Sequence, residues 1–196
     1  MDHTNRRLIL ASSSPYRRNL LTQLCLKFEC ISPDVDETPR ANESAGHLVE
    51  RLAQAKAQYI LSTHPNGLVI GSDQAADLEG VILGKPHNTE RAVGQLRACS
   101  GKTVRFYTAI AVISSHRRQI EVIGTEVKFR ELTESQIRAY IKKEEPLNCA
   151  GSFKCEGLGI ALFESIQSTD PSALIGLPLI SVARMLCAEG VDVLTL

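Results

Sequence analysis

Residues 103–129 constrain what this chain can fold into more than any other stretch. TVRFYTAIAVIS and QIEVIGTEVKF are both rich in β-branched and aromatic residues, and a polar SSHRR turn lies between them. Two such runs joined by a short polar turn read as a long β-hairpin. The rest of the chain must supply the layers that cover it. Arg7 to Ala11 reads as a buried strand, and Lys27 to Ser32 as a second. LVIGSDQAADLEGVILGKP reads as two strands around a Glu79-Gly80 turn, and IALFESIQS as a further strand. Between them lie helices with local start signals. Pro15 stands at a first helical position behind Ser14, a good N-cap. A helix is expected from about Ser44 to Thr63, with Leu48, Leu52, Ala55 and Tyr59 on one face. Thr89 is placed to cap a helix running to Cys99, where Gly101 stops it. Thr133 with Gln136 makes a capping-box pattern for a helix ending near Glu145. Pro178 opens a last helix that Gly190 closes. Helices alternating with strands, plus one long hairpin, imply an α/β fold with a mixed sheet. No repeat or linker divides residues 1–196, so one domain is expected.

Composition narrows the partners. Lys plus Arg equals Asp plus Glu, 22 of each, so no global field would draw nucleic acid or an acidic membrane. A phosphorylated ligand would have to be held by a local cluster of charge. No apolar run approaches the ~20 residues that span a bilayer, and MDHTNRR leads into RLILA without a signal-peptide core. The expected compartment is the cytoplasm. The six cysteines, Cys25, Cys30, Cys99, Cys149, Cys155 and Cys187, form no CxxC pair, and a chain this long does not need disulfides. Free, mostly buried thiols are expected. His3, His47, His64, His87 and His116 show no metal-ligand spacing with them, so a structural zinc site is not expected.

Five short segments carry possible chemistry. In LASSSPYRR a strand ends, serines turn the chain, and a helix starts with Arg17 and Arg18 in its first turn. Unpaired N–H groups and the positive end of the dipole make such a terminus an anion site. Basic residues there oppose the dipole and ask for a compensating anion; the alternative is a plain Ser-Pro cap with solvated arginines. VDE, Val35 to Glu37, lies in a carboxylate-rich loop of the kind that holds Mg²⁺ while substrate phosphates complete the coordination, or it is a solvated acidic turn. Asp73, in VIGSDQ, follows an apolar strand and could deprotonate water or ligate a metal, or it caps a turn. GKP, Gly84 to Pro86, fixes Lys85 in a stiff turn. AGSFKCEG, Ala150 to Gly157, surrounds Lys154 and Glu156 with glycines that let backbone approach a ligand.

Taken in order, LASSSPYRRNLL, VDE, the lysine of RLAQAKAQ, GSDQ, GKP, SGKTVRFYT and the late KCEG…GLPL run resemble the Maf family of nucleotide pyrophosphatases from residue 7 to about 186. Each motif is weak alone, but their common order over nearly the whole chain is specific. The resemblance implies an elongated, helix-flanked mixed sheet in two lobes with a nucleotide in the central cleft. It implies a divalent cation, Mg²⁺ or Mn²⁺, and cleavage between the α- and β-phosphates. It makes Asp73 the proton acceptor and Glu37 a metal ligand. Ser12, Ser13, Arg17, Lys56, Lys85 and Lys154 become phosphate-binding residues. Tyr16, Gln74 and Glu156 occupy the specificity positions. One group within the family acts on dTTP and UTP and carries Arg, Thr and Gln there; the residues here resemble instead the group acting on 7-methyl-GTP, which more often has Trp at the first position. The expected partner is a small nucleotide, without nucleic acid or membrane, and a homodimer is the family expectation. Two alternatives stay open: the same reaction on dTTP or UTP, and a non-catalytic nucleotide-binding regulator of cell division.

Overall fold

The computed structural model of the chain describes residues 6–195; the first five residues, with His3 and most of the leader reading, lie outside it. Local signals set most elements. β1 (Leu8–Ala11) leads into α1 (Pro15–Thr22), whose N-cap Ser14 accepts from the Arg17 N–H. β2 (Glu29–Cys30) precedes α2 (Ala45–Thr63), capped by Ser44. β3 (Leu68–Leu78) turns at Glu79 and Gly80, both at positive φ, into β4 (Val81–Leu83). After α3 (Thr89–Cys99) comes the hairpin of β5 (Thr103–Ile113) and β6 (Arg118–Phe129). α4 (Glu134–Glu144) starts at the reciprocal Thr133/Gln136 capping box. Three short 3₁₀ turns, β7 (Phe163–Ser168) and α5 (Leu179–Ala188) complete the chain.

The expected α/β fold with a mixed sheet is borne out. The strand order is β2-β1-β3-β5-β6-β7, with β4 on β3. β1 runs parallel to β2 and β3, and the pairings from β3 through β7 are antiparallel. Because successive side chains of a strand face opposite ways, β1 and β3 sort their apolar residues onto two faces. Ile9, Ala11 and Val69 pack under α2. Leu8, Leu10, Leu68 and Ile70 pack under α1 and α5. Beyond Ala76 on β3 and Phe106 on β5 a third core begins, closed by α3 and α4. The long strands thus run through two bodies of core. Asp73 and Gln74, paired with Ala109 and Thr108, lie on β3 just before the change-over.

Several expectations need correction. The second strand spans Glu29–Cys30 rather than Lys27 to Ser32, because its partner β1 is only four residues long and pairs with it at Ile9 and Leu10. Asn88, not Thr89, caps α3, its side-chain oxygen accepting from the Arg91 N–H at 2.9 Å. The buried stripe of α2 is rotated: Leu48 and Leu52 belong to it, but it continues through Ala53, Lys56, Ala57 and Ile60, leaving Tyr59 44% exposed. Leu158–Leu162 is a 3₁₀ turn, so the last strand starts only at Phe163. All six cysteines are free as expected, but Cys25, Cys30 and Cys187 are exposed and only Cys99 is fully buried.

Candidate active site

The site is built on the contact between α2 and β3. A Cβ at Gly71 would lie 2.2 Å from the Ala53 carbonyl oxygen and 2.9 Å from the Ala57 Cβ. Glycine there, facing two alanines, lets the helix rest directly on the strand. That close approach brings Lys56, on the next turn, over Asp73, two residues further along the same face of β3. Lys56 is 6% exposed; its ammonium donates to Asp73 Oδ1 at 2.6 Å and lies 2.6 Å from Glu37 Oε1. One buried cation therefore holds both expected acidic residues. Glu37 remains half-exposed, and its loop is tied to α2 by Arg51, which donates to the Thr38 carbonyl and, bidentately, to Glu43.

Arg17 completes this group from α1. Its Nε donates to the Gly176 carbonyl at 2.8 Å, and its terminal nitrogens have no hydrogen-bond partner among the described residues. Burial lowers the pKa of this guanidinium, while the charges of Asp73 and Glu37 work the other way. Burial would raise Glu37, but the Lys56 hydrogen bond and the charges of Lys56, Lys85 and Arg17 outweigh it and hold the carboxyl below its ordinary value. The structure thus brings Arg17, Glu37, Lys56, Asp73 and Lys85 within electrostatic reach. Ser12 is buried and its hydroxyl oxygen accepts from the Ser14 N–H, whereas Ser13 is exposed on the same turn.

A second group lies beside it. Tyr16, next to Arg17, turns toward the segment after α4, where Cys149 and Glu156 lie within electrostatic reach. Burial, then the neighbouring Cys149 and Glu156, push this phenol above its ordinary value. Burial also pushes the Cys149 thiol up, against the pull of Lys154. The Lys154 ammonium itself donates to the Glu144 carbonyl at 2.5 Å. Lys154 is therefore gathered with Tyr16, Cys149 and Glu156 rather than with the Lys56 carboxylates, and Lys85, which acts on both Glu37 and Cys149, stands between the groups.

Gln74 does not share Asp73's surroundings. Strand alternation turns Ser72 and Gln74 to the opposite face of β3. There the Gln74 amide nitrogen donates to Thr108 Oγ1 at 3.0 Å, to the Ala173 carbonyl at 2.9 Å and to the Leu174 carbonyl at 3.0 Å. Ser72 donates to the Gly176 carbonyl at 3.0 Å. Gln74 thus grips the 173–176 backbone, which also orients Arg17. Sequence reasoning missed Cys149, Thr108 and that backbone. Strand periodicity already held the signal for Gln74, whereas the Arg17–Gly176 contact joins residues 159 positions apart and leaves no local trace.

The chain is 56% identical over 188 residues to a Pseudomonas aeruginosa protein named 7-methyl-GTP pyrophosphatase, a match covering 95% of this chain and 98% of that one. Residues 7–189 match the model of a family described as Maf-like protein. The chain belongs to the Maf family.

Proposed function

We propose that this protein hydrolyses 7-methyl-GTP to 7-methyl-GMP and diphosphate, removing a modified nucleotide from the cytoplasmic pool. The observation that carries the reaction is the gathering of Asp73 and Glu37 around one buried ammonium beside Arg17 and Lys85. The near full-length relative named for this activity supports the substrate. No helix among the described residues is long and apolar enough to cross a membrane, and the balanced charge suits a small nucleotide rather than nucleic acid.

Phosphoryl transfer asks a protein chiefly for positioning and charge neutralisation. Asp73 Oδ1 is held by Lys56, while Oδ2 has no protein partner among the described residues and is not sealed from solvent. Oδ2 would take a proton from water as the water oxygen bonds the α-phosphorus and the bond from that phosphorus to the bridging β-phosphate oxygen breaks. The free end of Arg17, with Lys56 and Lys85, would meet the phosphate oxygens, and the hydroxyls of Ser12 and Ser13 would supplement them. Glu37, which shares the Lys56 ammonium with Asp73, would hold a divalent cation. Two carboxylates, with no third acidic, His or Cys ligand grouped with them among the described residues, suit Mg²⁺ or Mn²⁺ that completes its coordination with water and phosphate. Bound there, such a cation supplies neutralisation of the phosphate charge. Lys154, expected among the phosphate-binding residues, would instead lie on the base side, since its ammonium donates to the Glu144 carbonyl and acts on Cys149.

The base would enter between Tyr16 and the 149–156 segment. The N7-methylated ring is cationic and favours the aromatic face of Tyr16, while Glu156 can accept in parallel from guanine N1–H and the exocyclic amine. Gln74 would shape this site through the 173–176 backbone. Turnover of purified protein with Mg²⁺ or Mn²⁺ across 7-methyl-GTP, GTP, dTTP and UTP tests the proposal. Monophosphate and intact diphosphate from 7-methyl-GTP are expected; orthophosphate as first product, or no turnover of any nucleotide, contradicts it. Preference for dTTP or UTP would leave the reaction and replace the substrate. A homodimer, the family expectation, is measured by light scattering.

A further inference from the structure

The segment joining β7 to α5 crosses the face of the sheet opposite Asp73, and it is built around one buried carboxylate that the reaction itself does not use. Asp170 is 2% exposed. Its Oδ1 accepts from the Ser172 N–H at 3.2 Å and the Ser172 hydroxyl at 2.7 Å. Its Oδ2 accepts from the Ile180 N–H at 2.8 Å and the Ser181 N–H at 3.3 Å. Those two amides belong to the first turn of α5, whose N-cap, Pro178, offers no capping side chain. Asp170 therefore caps α5 from outside the helix, and the positive helix end compensates a carboxylate with no Lys or Arg partner among the described residues. Ser172 carries the same clamp across the loop: its hydroxyl oxygen receives the Leu179 N–H at 2.7 Å and lies 2.8 Å from the Leu177 carbonyl.

These bonds close residues 170–181 into a strap with its carbonyls turned toward the sheet. Ala173 receives Thr108 and Gln74, Leu174 receives Gln74, and Gly176 receives both Ser72 and Arg17. Gly176 has φ +120°, a left-handed conformation that L side chains rarely adopt, and its carbonyl is the one protein acceptor for the Arg17 side chain among the described residues. The aim of the Arg17 fork thus depends on the strap, and the strap depends on a carboxylate anchored at its two ends.

We propose that Asp170 is a positioning residue for Arg17: by clamping the 170–181 strap it fixes the Gly176 carbonyl and so directs the free end of the guanidinium at the phosphates. This rests on the reading of Arg17 as a phosphate ligand. The test is a double-mutant cycle in nucleotide turnover, with Asp170→Asn and Arg17→Ala alone and combined, alongside thermal unfolding of each. Asp170→Asn keeps the shape of the side chain but turns a donor toward one pair of amides. It should cut kcat/KM by about tenfold in the wild-type background and by nothing further once Arg17 is alanine, since residues acting through one another are not additive. An equal loss in both backgrounds, or a lowered melting temperature with unchanged kcat/KM, would overturn the proposal. Ser172→Ala, which removes the bridging hydroxyl and spares the carboxylate, should show the same dependence on Arg17 and serves if Asp170→Asn fails to fold. Wild-type turnover and its loss in Arg17→Ala test the underlying reading separately, so the two failures are distinguishable.

Discussion

Replacing Gly71 with alanine puts the standoff between α2 and β3 to a direct test. The added methyl would lie 2.2 Å from the Ala53 carbonyl oxygen, where ordinary contact begins at 3.4 Å. The obstructing atom is helix backbone, so no side chain can swing aside and α2 must withdraw by about 1 Å. Lys56 rides on that helix. Its 2.6 Å hydrogen bond to Asp73 would stretch to about 3.6 Å, outside the range of a charge-assisted bond. Overpacking of this kind costs about 1–3 kcal/mol of stability. A displacement of about 1 Å near the chemistry costs on the order of a hundredfold in turnover. Urea unfolding followed by circular dichroism gives the first quantity, and kcat for 7-methyl-GTP gives the second. Gly94→Ala in α3 is the control: nothing lies within 4 Å of a Cβ there, so turnover should hold and stability should rise by about 0.5–1 kcal/mol. Wild-type stability in Gly71→Ala would refute the steric argument. Lost stability with unchanged kcat would refute the claim that this spacing sets the Lys56–Asp73 geometry.

Asp73→Asn should lower kcat by on the order of a hundredfold or more with the fold intact by circular dichroism; near-normal turnover at saturating metal would remove Asp73 as proton acceptor. The triple variant Tyr16→Arg, Gln74→Thr, Glu156→Gln should narrow the preference for 7-methyl-GTP over dTTP and UTP by roughly tenfold to a hundredfold in kcat/KM, and an unchanged ratio would mean these positions do not govern the base. Glu37 is held below its ordinary value of 4.5, so its stabilising contribution is complete above that value and disappears as pH falls through the lower folded value. Unfolding midpoints of wild type and Glu37→Gln should therefore differ at neutral pH, with the gap shrinking as pH falls below 4.5, and a gap that stays constant or widens on acidification would contradict the sign.

What could be read in the sequence was local in origin. Ser14 before Pro15, Thr133 with Gln136, and the Glu79-Gly80 turn act within a few residues, and each stands where expected. Asp73, Glu37 and Lys56 stand out in the sequence as candidates, but the ammonium that binds both carboxylates follows from Gly71 admitting α2, which is a tertiary fact. The α2 stripe was misplaced for the same reason: Ala53 and Ala57 are weak in a hydrophobic pattern and decisive in a close contact. Asn88 displaced Thr89 because both side chains can cap and only the chain path decides between them. Asp170 was invisible, since a lone aspartate before a proline has many uses and its partners at Ile180 and Ser181 are set by a loop closure.

The hairpin that fixed the fold also orders its assembly. β5 and β6 pair from Ile113–Arg118 outward to Thr103–Lys128, a zipper of contacts close in sequence and therefore cheap in loop entropy. β1 against β3 must wait for α2 to span between them, and the face beneath α1 waits longer still. That face is closed by Leu177, Val182, Met185 and Leu186 against Leu8, Leu10 and Leu20, so segments more than 150 residues apart must meet to complete it. A chain cut before residue 176 would lack the Gly176 carbonyl that orients Arg17. On this reading, an aimed Arg17 is a late product of folding, reached only when α5 docks.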